Sequence, residues 1–175
     1  MFFTKGVGVS NTKLGSFEEA LRSAGIAQFN LVTVSSIMPP GAKVISREEG
    51  LSGMHAGEIV FTVMARISSC EPNRLISASI GTALPAEPAI HGYLSEHHSY
   101  GLNQEKCGDY SEDLAASMLA STMGIEFDVD AAWNEKEEHF KMSGKIVKTF
   151  NTTQTAVVDK NGKWTSVIAA AILRP

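Results

Sequence analysis

Cysteine is scarce in this 175-residue chain: Cys70 and Cys107 are the only two, and they share neither a CxxC spacing nor a disulfide-rich context. That predicts reduced thiols in a cytoplasmic protein rather than a disulfide scaffold. Basic clusters are lacking too, and the net charge is −4, which argues against a nucleic-acid or anionic-membrane partner. The longest apolar run, Val167 to Leu173, is far too short to span a bilayer. The opening Met1-Phe-Phe-Thr-Lys5-Gly6 is too soon charged for a signal peptide. Repeats and linkers are missing as well. With 43% apolar and 19% charged residues, the chain is expected to fold as one soluble domain over residues 1–175.

Strand patterns dominate what is present. Residues 2–9 read as a strand, Glu58 to Ile67 as an apolar strand, and Arg74 to Leu84 as another. In the last of these Ile76, Ala78 and Ile80 share one face, while Ser77, Ser79 and Gly81 leave the other open to a close neighbour. Helices are predicted from a Ser16 cap to Ala24, from a Ser111 cap to Met123, and over 131–142. Arg47-Glu-Glu49 reads as a solvated turn. The last two strands, 149–158 and 164–173, are expected to form a hairpin around Asn161-Gly162. This pattern makes the fold class α+β. Between Gly92 and Gly101, Glu96 and His98 face one way on a strand and His97 the other. Adjacent histidines so placed cannot easily share an ion, and no metal is expected.

One stretch stands apart: Asn30-Leu-Val-Thr-Val-Ser35-Ser36-Ile-Met-Pro39-Pro40-Gly41. Its β-branched Val32, Thr33 and Val34 favour an extended conformation. Pro39 then biases Met38 away from the α region, and two rings stiffen the exit. Two hydroxyls are thus presented at a strand end. One reading is a plain strand followed by a Pro-Pro-Gly turn. The other is self-cleavage, in which a serine hydroxyl attacks the preceding carbonyl if the peptide is strained and its oxyanion stabilised. The resulting ester can eliminate to dehydroalanine, which hydrolyses to a pyruvoyl group. A second pair, Ser68-Ser69, lacks the asparagine, the Ile-Met and the double proline, and reads as a surface turn.

The pattern from Asn30 to Pro40 closely resembles the processing site of archaeal-type pyruvoyl-dependent arginine decarboxylases. The resemblance implies a cut between Ser35 and Ser36, giving chains 1–35 and 36–175, with Ser36 becoming a covalent pyruvoyl cofactor. It implies conversion of L-arginine to agmatine and CO2, a four-layer αββα sandwich, and a homotrimer with active sites at subunit interfaces. Phe17-Glu18-Glu19-Ala20-Leu21 with Ala24-Gly25-Ile26 matches a family segment whose aspartate contacts the substrate guanidinium. Glu18 takes that place here, one methylene longer; otherwise it is an ordinary first-turn carboxylate. Leu14 and Leu21 match apolar pocket positions, and Ser35 joins this substrate-binding set. The Gly92-(x)3-Glu96 segment assigns Glu96 as proton donor. Asn30 is expected to orient the scissile peptide or stabilise its oxyanion. Two alternatives stay open: a pyruvoyl decarboxylase of another amino acid, or an unprocessed trimeric binding protein.

Overall fold

The computed structural model describes residues 1–124 and 146–174, so the expected helix over 131–142 lies outside the described residues. The elements are β1 (Phe2–Ser10), α1 (Lys13–Ala24), β2 (Asn30–Thr33), β3 (Ile37–Met38), α2 (Arg47–Leu51), β4 (Ile59–Ser69), β5 (Leu75–Pro85), β6 (Gly92–Tyr100), α3 (Gln104–Thr122), β7 (Ile146–Val157) and β8 (Trp164–Leu173). They make an α+β fold of two four-stranded sheets with helices packed on them. The first sheet has the order β1-β8-β4-β2 and the second β3-β6-β5-β7. All pairings are antiparallel except β2 with β4.

Period-two alternation sorts each strand between two environments. Val63, Ala65 and Ile67 of β4 and Val167, Ala169 and Ala171 of β8 share one core cluster with Ile76, Ala78, Ile80 and Leu94 of the second sheet. The opposite face of β8, carrying Ile168, Ala170 and Ile172, packs on Ala20, Leu21 and Ala24 of α1. Each fully buried isoleucine contributes about 1.5–3 kcal/mol. That matters, because a 12-residue helix is marginal in isolation. The glycines of β1 permit the approach: a Cβ at Gly8 would run into the Ser16 carbonyl and the Ala20 amide. On the second sheet, Ala115, Ala116, Leu119 and Ala120 of α3 meet Ala83 and Tyr93. The small face of β5 is closed by this helix: Ser79 Oγ lies 2.6 Å from Ser111 Oγ and 2.7 Å from Thr153 Oγ1.

Several boundaries differ from the sequence reading, each for a tertiary reason. α1 is capped by Thr12, which accepts the Gly15 N–H at 3.0 Å. Ser16 instead lies buried inside the helix and bonds Ser166 of β8 at 2.7 Å. α3 starts at Asn103, which accepts the Lys106 N–H, so Ser111 is an interior residue and not the cap. Residues 47–51 form a short helix capped by Ser46 rather than a turn. Ser68 and Ser69 end β4, with Ser69 buried, and are not a surface turn. The expected hairpin is overturned: β7 pairs with β5 and β8 with β1 and β4, so the turn at Asp159–Lys163 carries the chain from one sheet to the other.

Candidate active site

The Ser35–Ser36 peptide lies where the chain leaves the first sheet for the second. The parallel ladder of β2 on β4 closes with the Val34 N–H donating to the Thr62 carbonyl at 3.0 Å. Three residues later Ile37 stands opposite Tyr93 and Met38 opposite Gly92, as β3 joins β6. Between them Ser36 occupies a bend. The Ile37 N–H donates to the Ser35 carbonyl at 2.9 Å, closing a three-residue turn centred on Ser36. The Leu94 N–H donates to the Ser36 carbonyl at 2.8 Å. Ser35 is exposed and Ser36 half-buried, while Met38, 1% exposed, anchors the exit in the core. The Pro-Pro-Gly turn is present as well, with the Ala42 N–H donating to the Pro39 carbonyl at 3.1 Å.

Strand pairing sets Glu96 on the strand that holds this peptide. It lies on β6 two residues beyond Leu94, a rise of about 7 Å, and shares the face of Leu94. β2 has ended at Thr33, which leaves the next N–H on that edge of β4, from Met64, without a strand partner. That N–H is the backbone donor that acts on the Glu96 carboxyl group. By area the residue as a whole is exposed, while its carboxyl group is partly desolvated. Burial there pushes its pKa above the ordinary carboxylate range, against the opposing pull of the Met64 N–H and of His98. His97 faces the other way and stacks on Tyr110 of α3, ring centroids 4.4 Å apart.

The other candidate residues divide between two clefts along α1. A cleft of about 440 Å³ is lined by Glu18, Leu21, Asn30, Thr33, Met64 and Arg66, among others. It reaches Thr33, two residues before Ser35, and it shares Met64 with the Glu96 contact. Leu14 lines an adjoining cleft of about 420 Å³, which has Phe17 and Arg66 in common with the first. The Glu18 carboxylate already holds a guanidinium, that of Arg22 on its own helix, at 3.2 Å. An exposed pair of this kind is worth only about 0.3–0.5 kcal/mol, so an incoming guanidinium can displace it. Asn30 donates to the Gly57 carbonyl at 2.7 Å. It stands at the far end of β2, roughly 16 Å of extended chain from Ser35, so within one chain it is not beside the scissile bond.

Sequence reasoning passed over Arg66, whose guanidinium lies over the Phe17 ring at 5.1 Å. A lone cation in an apolar strand was its available signal. The N–H groups of Ile37, Met64 and Leu94 carry no sequence signal, because every residue but proline has one. A pyruvoyl group derived from Ser36 fits these surroundings: the carbonyl next to it is pinned by the Leu94 N–H, and its side-chain position is half-open.

Comparison with known proteins agrees with this geometry. The family described as pyruvoyl-dependent arginine decarboxylase matches residues 1–175. A probable pyruvoyl-dependent arginine decarboxylase of Chloroherpeton thalassium is 63% identical over 175 residues, covering 100% of this chain and 96% of the relative. One from Chlorobaculum tepidum is 58% identical with the same coverage. Pyruvoyl-dependent arginine decarboxylase 2 of Methanosarcina acetivorans is 54% identical over 171 residues, covering 98% of this chain and 93% of the relative. The chain belongs to the pyruvoyl-dependent arginine decarboxylase family.

Proposed function

We propose that this chain cleaves itself between Ser35 and Ser36 and decarboxylates L-arginine to agmatine in the cytoplasm. The observation that supports the reading is the register of β3 against β6, in which the Leu94 N–H holds the Ser36 carbonyl two residues before Glu96 on the same strand. The processed enzyme then consists of residues 1–35 and 36–175, with the cofactor at position 36. Once formed, the pyruvoyl group supplies a carbonyl for the substrate amine and an electron sink as CO2 leaves. The residues of the chain do the rest. The Leu94 N–H fixes the carbonyl of residue 36. Leu14, Leu21 and the exposed Ser35 line the substrate path, and apolar surroundings favour loss of the carboxylate as neutral CO2. Glu18 takes the guanidinium in a charge-assisted pair. Glu96 delivers its carboxyl proton to the substrate α-carbon.

Glu18→Ala is expected to process normally while raising the KM for arginine about 10- to 100-fold, the worth of one hydrogen bond to a charged group. Steady-state kinetics check it, and an unchanged KM would remove Glu18 from the substrate site. An assay of CO2 release across a panel of amino acids tests the substrate: arginine should dominate, and a preference for another amino acid would overturn the arginine reading.

The same proposal includes a four-layer αββα order and a homotrimer. Packing of α1 on the first sheet, α3 on the second, and a shared core between the sheets supports the former. Support for the latter comes from apolar surface at the β2 edge: Val32 and its register partner Phe61 are 41% and 47% exposed, and Ile59 is 69% exposed. Such surface calls for cover. Light scattering should give the mass of three processed protomers; a monomer would contradict this part.

A further inference from the structure

We propose that the backbone N–H of Ile37 is the oxyanion donor for self-cleavage. The inference rests on the reading that the cut falls between Ser35 and Ser36. This N–H lies 2.9 Å from the Ser35 carbonyl oxygen, the oxygen that becomes negative when the carbonyl carbon is attacked. Donors at about 2.7–3.1 Å from an oxyanion are what acyl transfer requires. Strand geometry explains why this amide is available. Hydrogen-bonded and non-bonded pairs alternate along an antiparallel ladder. Leu94 spends its N–H on the Ser36 carbonyl, so the next pair, Ile37 with Tyr93, is the non-bonded one. Its N–H therefore points away from β6 and back at Ser35. Asn30, the side chain that the sequence suggests for this task, is occupied by the Gly57 carbonyl at the other end of β2.

The chemistry balances with water as the only co-reactant. Ser36 Oγ adds to the Ser35 carbonyl carbon, and the charge that appears on the carbonyl oxygen is held by the Ile37 N–H. Collapse breaks the Ser35–Ser36 C–N bond. The hydroxyl proton ends on the Ser36 nitrogen, leaving Ser35 esterified to Ser36 Oγ. Loss of the Ser36 α-proton then expels the Ser35 carboxylate by breaking the Cβ–Oγ bond. The dehydroalanine so formed takes a proton at Cβ and gives one up from nitrogen to become the imine, which water hydrolyses to the ketone with release of ammonia. The Leu94 bond keeps the carbonyl on the other side of Ser36 still throughout.

The test compares wild type, Ile37→Ala and Ile37→Pro by intact mass over a timed incubation, with and without hydroxylamine, which cleaves esters. Ile37→Ala keeps the N–H and should cleave at close to the wild-type rate. Ile37→Pro removes it and should cleave about 10²–10³-fold more slowly, with no ester for hydroxylamine to trap. Fast cleavage of a folded Ile37→Pro chain, or accumulation of a hydroxylamine-labile ester, would overturn the proposal, because the first step would then not need the amide. If proline abolishes the wild-type circular dichroism and melting transition, an ester replacing the Ser36–Ile37 amide by semisynthesis serves instead. It removes the N–H and keeps the side chain; the same block is expected, and wild-type cleavage would be contrary. Failure of the wild type itself to cleave would refute the processing reading rather than the donor assignment alone.

Discussion

Ser36→Ala should remain one unbroken chain of 175 residues and show no decarboxylase activity above background. The substitution removes the nucleophile and the only precursor of the ketone together, so the loss is complete rather than graded. It should cost little stability, because Ser36 is half-buried at a bend, its carbonyl keeps the Leu94 N–H, and the bond from the Ile37 N–H to the Ser35 carbonyl also remains; changes of this kind stay within about 0.5 kcal/mol. Ser35→Ala is the informative contrast. By the same connectivity the Ser35 hydroxyl could add only to the Val34 carbonyl before it, and not to its own, so this variant should still cleave before residue 36. Intact mass and a carbonyl reagent read both. A cleaved, carbonyl-positive Ser36→Ala protein would reassign the cofactor.

Glu96→Gln should process to two chains yet lose about 10²- to 10⁴-fold in kcat, the usual worth of a positioned general acid. The direction of the pH dependence follows from burial. The carboxyl pKa lies above its ordinary value, and only the protonated form can donate. Activity is therefore full below the raised pKa and falls as pH rises through it; that alkaline limb should disappear in the Gln variant. Stability carries the same sign. A raised carboxyl pKa contributes stability that is present below the ordinary value and lost as pH climbs through the folded one. A Glu96→Gln enzyme with wild-type kcat and an unchanged pH profile would exclude Glu96 as the proton donor.

Local chemistry was easiest to read where one contiguous stretch encodes it. The β-branched run, the two serines and the double proline place the Ser35–Ser36 peptide at a strand end with no tertiary information. The small face of β5 likewise announced a close neighbour, and α3 is that neighbour. Cap positions failed where small residues serve packing instead. Gly108 and Ser111 look like helix breakers, yet a Cβ at Gly108 would strike the Asn151 side chain, and Ser111 bonds Ser79. Ser16 resembles a capping box but is spent on Ser166. The hairpin failed because β8 is buried on both faces. Its period cannot then say which sheet it joins, and Asn161-Gly162 marks a turn without naming a partner. At the site, side chains were legible and backbone donors were not: where the N–H groups of Ile37, Met64 and Leu94 point depends on β2 ending at Thr33 and on the register of β3 against β6.

The most direct test of the account is an intact-mass spectrum of the purified wild-type protein, with N-terminal sequencing of the larger fragment. Two chains, 1–35 and 36–175, the larger blocked to sequencing and bearing a pyruvoyl mass at residue 36, are the expected result. A single uncleaved chain after prolonged incubation would contradict self-processing, and with it the assignment of Ser36 as the source of the cofactor.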